Sequence, residues 1–173
     1  MHTAEALVAF HTAAGRDGRG RTIEDVWRLE LDELEWSHDY IQWLFPLLEP
    51  SRAQPQSPVL TSAAAEVLRQ SSEAHERLLR STRVMARFYG FTVAPAGPGW
   101  VVTLAPEFER RKQLWLAPGN HNYLRHTRIL KSLTLLGLPS LAAAWLECLV
   151  AVHQAHSSLV GRGTLEYWRA AVT

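Results

Sequence analysis

A single cysteine, Cys148, excludes an internal disulfide, and no paired CxxC spacing exists to build structural zinc. That cysteine usage suits a reducing, cytoplasmic compartment. Long apolar runs are missing too. Stretches such as 141–145 (LAAAW) fall far short of the ~18 residues that a membrane span needs, and no charged leader with an apolar h-region opens the sequence. Neither a membrane span nor export is expected. Lysine is nearly absent, at 2 residues against 16 arginines, the bias of a GC-rich genome. HExxH and GxSxG do not occur, so no zinc-protease or hydrolase chemistry is visible. No cofactor, metal or enzymatic activity is expected.

What is present is enough for one core. The 173 residues are 47% hydrophobic and 20% charged, which places the chain among folded proteins of single-domain size. Residues 1–173 are therefore expected to form a single domain. Charge is balanced overall at +1 but divided along the chain. Residues 1–50 hold ten Asp/Glu against four Arg, whereas 80–131 hold nine Lys/Arg against Glu107 and Glu109. Either the two stretches neutralise each other or lie on separate solvated faces, or the basic one meets an acidic partner.

Apolar periodicity is helical over most of the chain. Thr3 opens a helix carrying Leu7 and Phe10, Thr22 caps a short one with Asp25 as its capping-box partner, and a third is expected from about Glu33 to Phe45, stopped by Pro46. Leu68, Ser71, His75, Leu78, Thr82, Met85 and Tyr89 predict one helix over 62–89, ending at Gly90. Two β-rich runs around the APAGPG cluster predict a hairpin. Helices to Trp115, from Asn120 to Leu136, from Pro139 to about Ala155, and from near Thr164 complete the reading. The expected fold is all-α: a compact multi-helix domain of about seven helices, with one small β-hairpin near 91–104.

Few residues suggest chemistry. The loop 15–22 (GRDGRGRT) has the spacing of a phosphate-cradling loop, but no buried parallel strand precedes it and Arg-Thr stands where Lys-Ser/Thr is needed; a flexible basic turn is expected. His153 and His156 have no third ligand at metal spacing, and Cys148 falls on an apolar face with Leu141, Trp145 and Val152. Two constellations remain. In the third helix and just beyond it, Leu34, His38, Ile41, Phe45 and Leu48 form one stripe, and Trp36, Tyr40, Trp43 and Leu47 another. This helix is either core or the wall of an amphipathic pocket. Along 119–133, His121, Arg125, Arg128 and Ser132 share a face with Lys131 beside it, while Leu124, Leu130 and Leu133 turn inward. That face is either solvated, in contact with the acidic half, or an anion site beside the helix N-terminus at Asn120.

The strings 38–47 (HDYIQWLFPL), 77–90 (RLLRSTRVMARFYG) and 121–138 (HNYLRHTRILKSLTLLGL) occur in an order and spacing that resemble the conserved domain of the opioid growth factor receptor family. The likeness extends to the stretch around 10–25 and to 165–172 (LEYWRAAV), nearly the whole chain. It implies a receptor-like, non-enzymatic module; the animal members bind the pentapeptide enkephalin, associate with nuclear and perinuclear membranes, and restrain proliferation. Peripheral membrane contact is thus implied, whereas the long charged tail and repeats of animal members are not found. A stand-alone prokaryotic member is expected. By motif match the family signature falls on His38, Tyr40, Gln42, Trp43, His121, Asn122, Arg125, Arg128 and Lys131. With Trp36 these are the candidate ligand-binding residues, for a short peptide with an aromatic end and a free carboxylate near Arg125 and Arg128, or another small anion. Nucleic acid is the alternative partner, through Arg80, Arg83, Arg87, Arg110, Arg111, Lys112, Arg125 and Arg128.

Overall fold

The computed structural model describes residues 3–173. Among them are ten helices and a two-stranded hairpin, divided between two compact units. The first unit takes the chain up to Ser81 with Leu135–Gly137; the second takes Thr82–Thr134 and Leu138–Thr173.

In the first unit, α1 (Ala4–Thr12), capped by Thr3, packs on α5 (Ser62–Gln70). Between them come α2 (Ile23–Trp27), α3 (Leu31–Trp36) and α4 (Ile41–Leu44). The capping box of α2 is as expected, with the Asp25 N–H donating to Thr22 Oγ1 at 3.2 Å and the Thr22 N–H to Asp25 Oδ2 at 2.9 Å. Leu7, Phe10, Ile23, Val26, Leu34, Tyr40, Leu44 and Leu68 form the interior.

Three expectations fail here, each for a local reason. The loop at 15–22 is a built turn, not a flexible one. Asp17 is buried, and its carboxylate accepts from the Arg19 and Arg21 N–H groups, both at 2.9 Å, and from Arg21 Nε at 2.7 Å; Gly20 turns the chain at φ +80. Asp17→Ala is expected to cost on the order of 3 kcal/mol, because Arg21 and two backbone donors lose their acceptor; a shift in the urea midpoint checks it.

The helix expected over 33–45 is interrupted. Ser37 is extended (ψ 132), Arg19 and Arg21 hold Asp39 by ion pairs, and the Tyr40 hydroxyl donates to the Leu34 carbonyl at 2.9 Å, taking up an acceptor at the end of α3. Ser, His and Asp in sequence are weak helix formers and let this happen. Likewise 62–89 is two helices, α5 and α6 (Ser72–Tyr89). Ser71 is extended (ψ 116), and its hydroxyl accepts from the Ala74 N–H at 3.1 Å, so the second helix starts afresh.

The second unit begins with the last turns of α6. Gly90 ends it at φ +79, and a Cβ there would stand 2.7 Å from the Phe108 Cα, so the position needs glycine twice over. β1 (Phe91–Ala96) and β2 (Gly99–Leu104) pair antiparallel across Gly97-Pro98, and β2 packs on α9 (Pro139–Ala155). α7 (Phe108–Trp115), α8 (Asn122–Leu135) and α10 (Arg162–Ala170) follow the expected limits within two residues. Leu141, Trp145, Cys148 and Val152 are all buried, as their spacing predicts. Burial pushes the Cys148 thiol up to about 12, which leaves it protonated and inert.

Candidate functional site

The candidate residues divide between the units: the 36–43 segment lies in the first, the 121–131 stretch in the second. Because the chain breaks at Ser37, Trp36 does not join the stripe of Tyr40 and Trp43. It stands 80% exposed at the end of α3, with His38 exposed after it, while Tyr40, Gln42 and Trp43 are interior. The Trp43 ring tilts on Phe10 at 5.3 Å, and its carbonyl lies 2.8 Å from His11 Nε2, which therefore carries the proton and donates. Gln42 Nε2 donates to Ser51 Oγ at 3.3 Å, and Gln42 Oε1 is buried without a hydrogen-bond partner among the described residues. Tyr40 and Trp43 thus build the unit, and Trp36 and His38 present themselves to solvent.

On α8 the inward set is Asn122, Tyr123, Arg125, His126, Ile129, Leu130, Ser132 and Leu133. The expected cationic face is consequently redistributed. Arg125 is only 5% exposed and its Nη1 donates to Asn122 Oδ1 at 3.2 Å, whereas Leu124, expected inside, is 72% exposed. His121 is exposed, and Arg128 and Lys131 are half-buried. Polar side chains on the inward face hid the period: tracing Tyr123, His126, Leu130 and Leu133 at spacings of three and four puts Leu124 outside.

Beneath that surface lies an aromatic and polar core that the sequence reading did not assemble. The His126 ring lies 3.9 Å from that of Tyr89, and Trp145 Nε1–H donates to His126 Nδ1 at 3.2 Å. Indole is a donor only, so the imidazole proton sits on Nε2, which is buried with no hydrogen-bond partner among the described residues. A second proton on Nδ1 would confront the indole N–H. Burial, with the Arg125 charge beside it, accordingly holds His126 well below the ordinary imidazole range. Trp115 Nε1–H donates to the Tyr89 carbonyl at 3.1 Å, and Trp168 Nε1–H to the Tyr123 carbonyl at 3.1 Å. Asn122, Arg125 and His126 are therefore members of the interior of α8.

Not all of the basic residues proposed for nucleic acid lie outward. Arg111 is buried, with Nε donating to the Phe88 carbonyl at 2.8 Å, and Lys112 pairs with Glu109 at 2.7 Å. Arg80 lies over the Trp27 ring at 4.2 Å in the first unit. Exposed cations in the second unit include Arg83, Arg87 and Arg110. Among the described residues no group of three or more His, Cys, Asp or Glu could hold a metal ion, and no helix is long and apolar enough to cross a membrane.

The opioid growth factor receptor (OGFr) conserved region matches residues 17–173. The opioid growth factor receptor of Rattus norvegicus is 41% identical over 160 residues, which cover 88% of this chain and 27% of that protein. Its Homo sapiens counterpart is 39% identical over 158 residues, 88% of this chain and 23% of that protein. The opioid growth factor receptor-like protein 1 of Xenopus tropicalis is 38% identical over 121 residues, 68% of this chain and 23% of its own. This chain thus spans about a quarter of the length of the curated relatives it matches. No solved structure matches it significantly.

Proposed function

The chain belongs to the opioid growth factor receptor family, and we propose that it acts as a non-enzymatic, receptor-like binding module for a short peptide. One observation carries this reading: the conserved region of the opioid growth factor receptor matches residues 17–173, and so takes in nearly all of both units. A cytoplasmic setting is part of the same proposal, and a single cysteine with no disulfide partner in the chain suits it. Within the family signature, His38 and His121 are exposed and Arg128 and Lys131 half-buried, whereas Tyr40, Gln42, Trp43, Asn122 and Arg125 are interior. A peptide carboxylate would go to the half-buried Arg128 and Lys131 rather than to Arg125.

The test is a calorimetric titration of the full chain with enkephalin, as free acid and as amide. Saturable binding that weakens about threefold on amidation or on Arg128→Ala supports the reading; no heat or chemical-shift change at millimolar peptide overturns it. Arg125→Ala is a separate matter. The sequence reading expects it to weaken binding without unfolding, but the interior position of Arg125 makes the expected loss about 2–4 kcal/mol of stability. A second reading, nucleic-acid binding, is favoured only by the exposure of Arg83, Arg87 and Arg110. Affinity for single or double strands that falls steeply with salt would support it.

A further inference from the structure

We propose that Trp36 and Asp32 form a docking face for a cationic side chain, arginine above all, carried by a short peptide. This rests on the peptide-binding reading and concerns the first unit by itself.

Trp36 is anomalous. Tryptophan is among the most buried side chains on average, and of the seven in this chain Trp27, Trp43, Trp115, Trp145 and Trp168 are buried and Trp100 is half-buried. The exposure is not that of a loose loop. Leu34, fully buried, anchors α3 from beneath; the Glu33 carboxylate accepts from the Glu30 N–H at 2.8 Å at its start, and the Tyr40 hydroxyl holds the Leu34 carbonyl at its end. A rigid, exposed indole is a low-entropy contact surface, the property that makes tryptophan a frequent interface anchor.

Charge selects the occupant. Residues 30–39 contain five carboxylates and no Lys or Arg. Among them Glu30 and Glu33 serve the capping box of α3, and Asp39 is held by Arg19 and Arg21. Asp32, exposed, sits four residues before Trp36 and so on the same side of the helix, with Cβ atoms about 6 Å apart. A guanidinium laid flat on the indole can therefore reach the Asp32 carboxylate, combining ring stacking with an ion pair. The chain already uses the first half of this chemistry on itself, with Arg80 over Trp27 at 4.2 Å and Arg83 over Trp100 at 5.9 Å. Among the described residues no such cation covers Trp36.

The probe is a blocked pentapeptide with one arginine between two leucines, titrated against the full chain, with a glutamine version as the control. Acrylamide quenching of the indole fluorescence reports mainly the exposed Trp36. The expected result is protection of Trp36 on binding, with affinity falling about tenfold for the glutamine peptide or for Trp36→Ala. Asp32→Asn should weaken it about threefold and flatten its salt dependence. Both variants change exposed side chains, so their melting temperatures should match the parent and report the same fold. Equal affinity for the two peptides, or an unchanged affinity in Trp36→Ala, overturns the inference. So does protection of Trp36 that rises with protein concentration alone, which would make a second copy the occupant. Should enkephalin bind parent and Trp36→Ala alike while the arginine peptide fails, this face is wrong and the peptide-binding module stands; if neither peptide binds, both fall.

Discussion

Lowering the pH from 7 to 4 is expected to cost the fold about 3 kcal/mol through His11 alone, with His126 adding to the loss. His11 is buried, and its ordinary value of 6.5 is lowered to about 4 by desolvation and by the Arg77 charge, against the opposing bond to the Trp43 carbonyl. In the unfolded chain the imidazole takes a proton below about 6.5. In the folded chain it does not until about pH 4, so between those values the unfolded state binds more protons and acid favours it. Stability from this group is complete above 6.5, declines as pH falls, and levels off below about 4. The gap, at about 1.4 kcal/mol per pH unit, gives the figure above. His126 acts in the same direction, because its charged form is disfavoured by burial and by Arg125. Asp25 titrates below this window, since the Thr22 N–H and hydroxyl hold its carboxyl down. Urea midpoints measured between pH 7.5 and 4 check the expectation. His11→Gln, which keeps a donor for the Trp43 carbonyl but cannot titrate, should flatten the decline; a wild-type curve flat over that range would contradict it.

Trp168→Ala is expected to cost about 3–5 kcal/mol. Its indole is fully buried, its N–H holds the Tyr123 carbonyl, and its ring meets Tyr123 and His126 edge-on, each at 5.7 Å. It links α10 to Tyr123 and His126 of α8. Removing it leaves a cavity the size of an indole beside a histidine that must remain neutral. Trp168→Phe keeps most of the packing and loses the hydrogen bond, so about 1–2 kcal/mol is expected. Denaturant unfolding distinguishes the three, and Trp36→Ala serves as the contrast: the same truncation at an 80% exposed site should stay within ~0.5 kcal/mol.

Tyr167, next to Trp168, is 73% exposed, and together with Leu124 it shows where periodicity alone falls short. Both are apolar residues that composition would assign to a core. Their position depends on which neighbours pair across helices, and Tyr123 and Trp168 claimed that role. The same cause hid the burial of Arg125. A cationic residue among His121, Arg128 and Lys131 reads as surface, and only its bond to Asn122, itself buried next to Tyr89, shows that it belongs inside.

Local signals were reliable where the deciding forces were local. Thr22 with Asp25, Gly90 after Tyr89, the turn at Gly97-Pro98 and the apolar stripe of α9 depend on backbone geometry and on spacings of a few residues, and all stand where the order of residues puts them. The predominance of helix and the family were legible for the same reason, as continuous strings. What needed the folded chain were the breaks at Ser37 and Ser71, the buried turn on Asp17, and the division of the signature between outward His38, His121, Arg128 and Lys131 and inward Tyr40, Gln42, Trp43, Asn122 and Arg125. Each of these is set by a partner distant in sequence or by competition between a helix and a side chain that bonds the backbone. Asp39 is held from 18 and 20 residues away, by Arg21 and Arg19, and no window of 3.6 periodicity contains that pull.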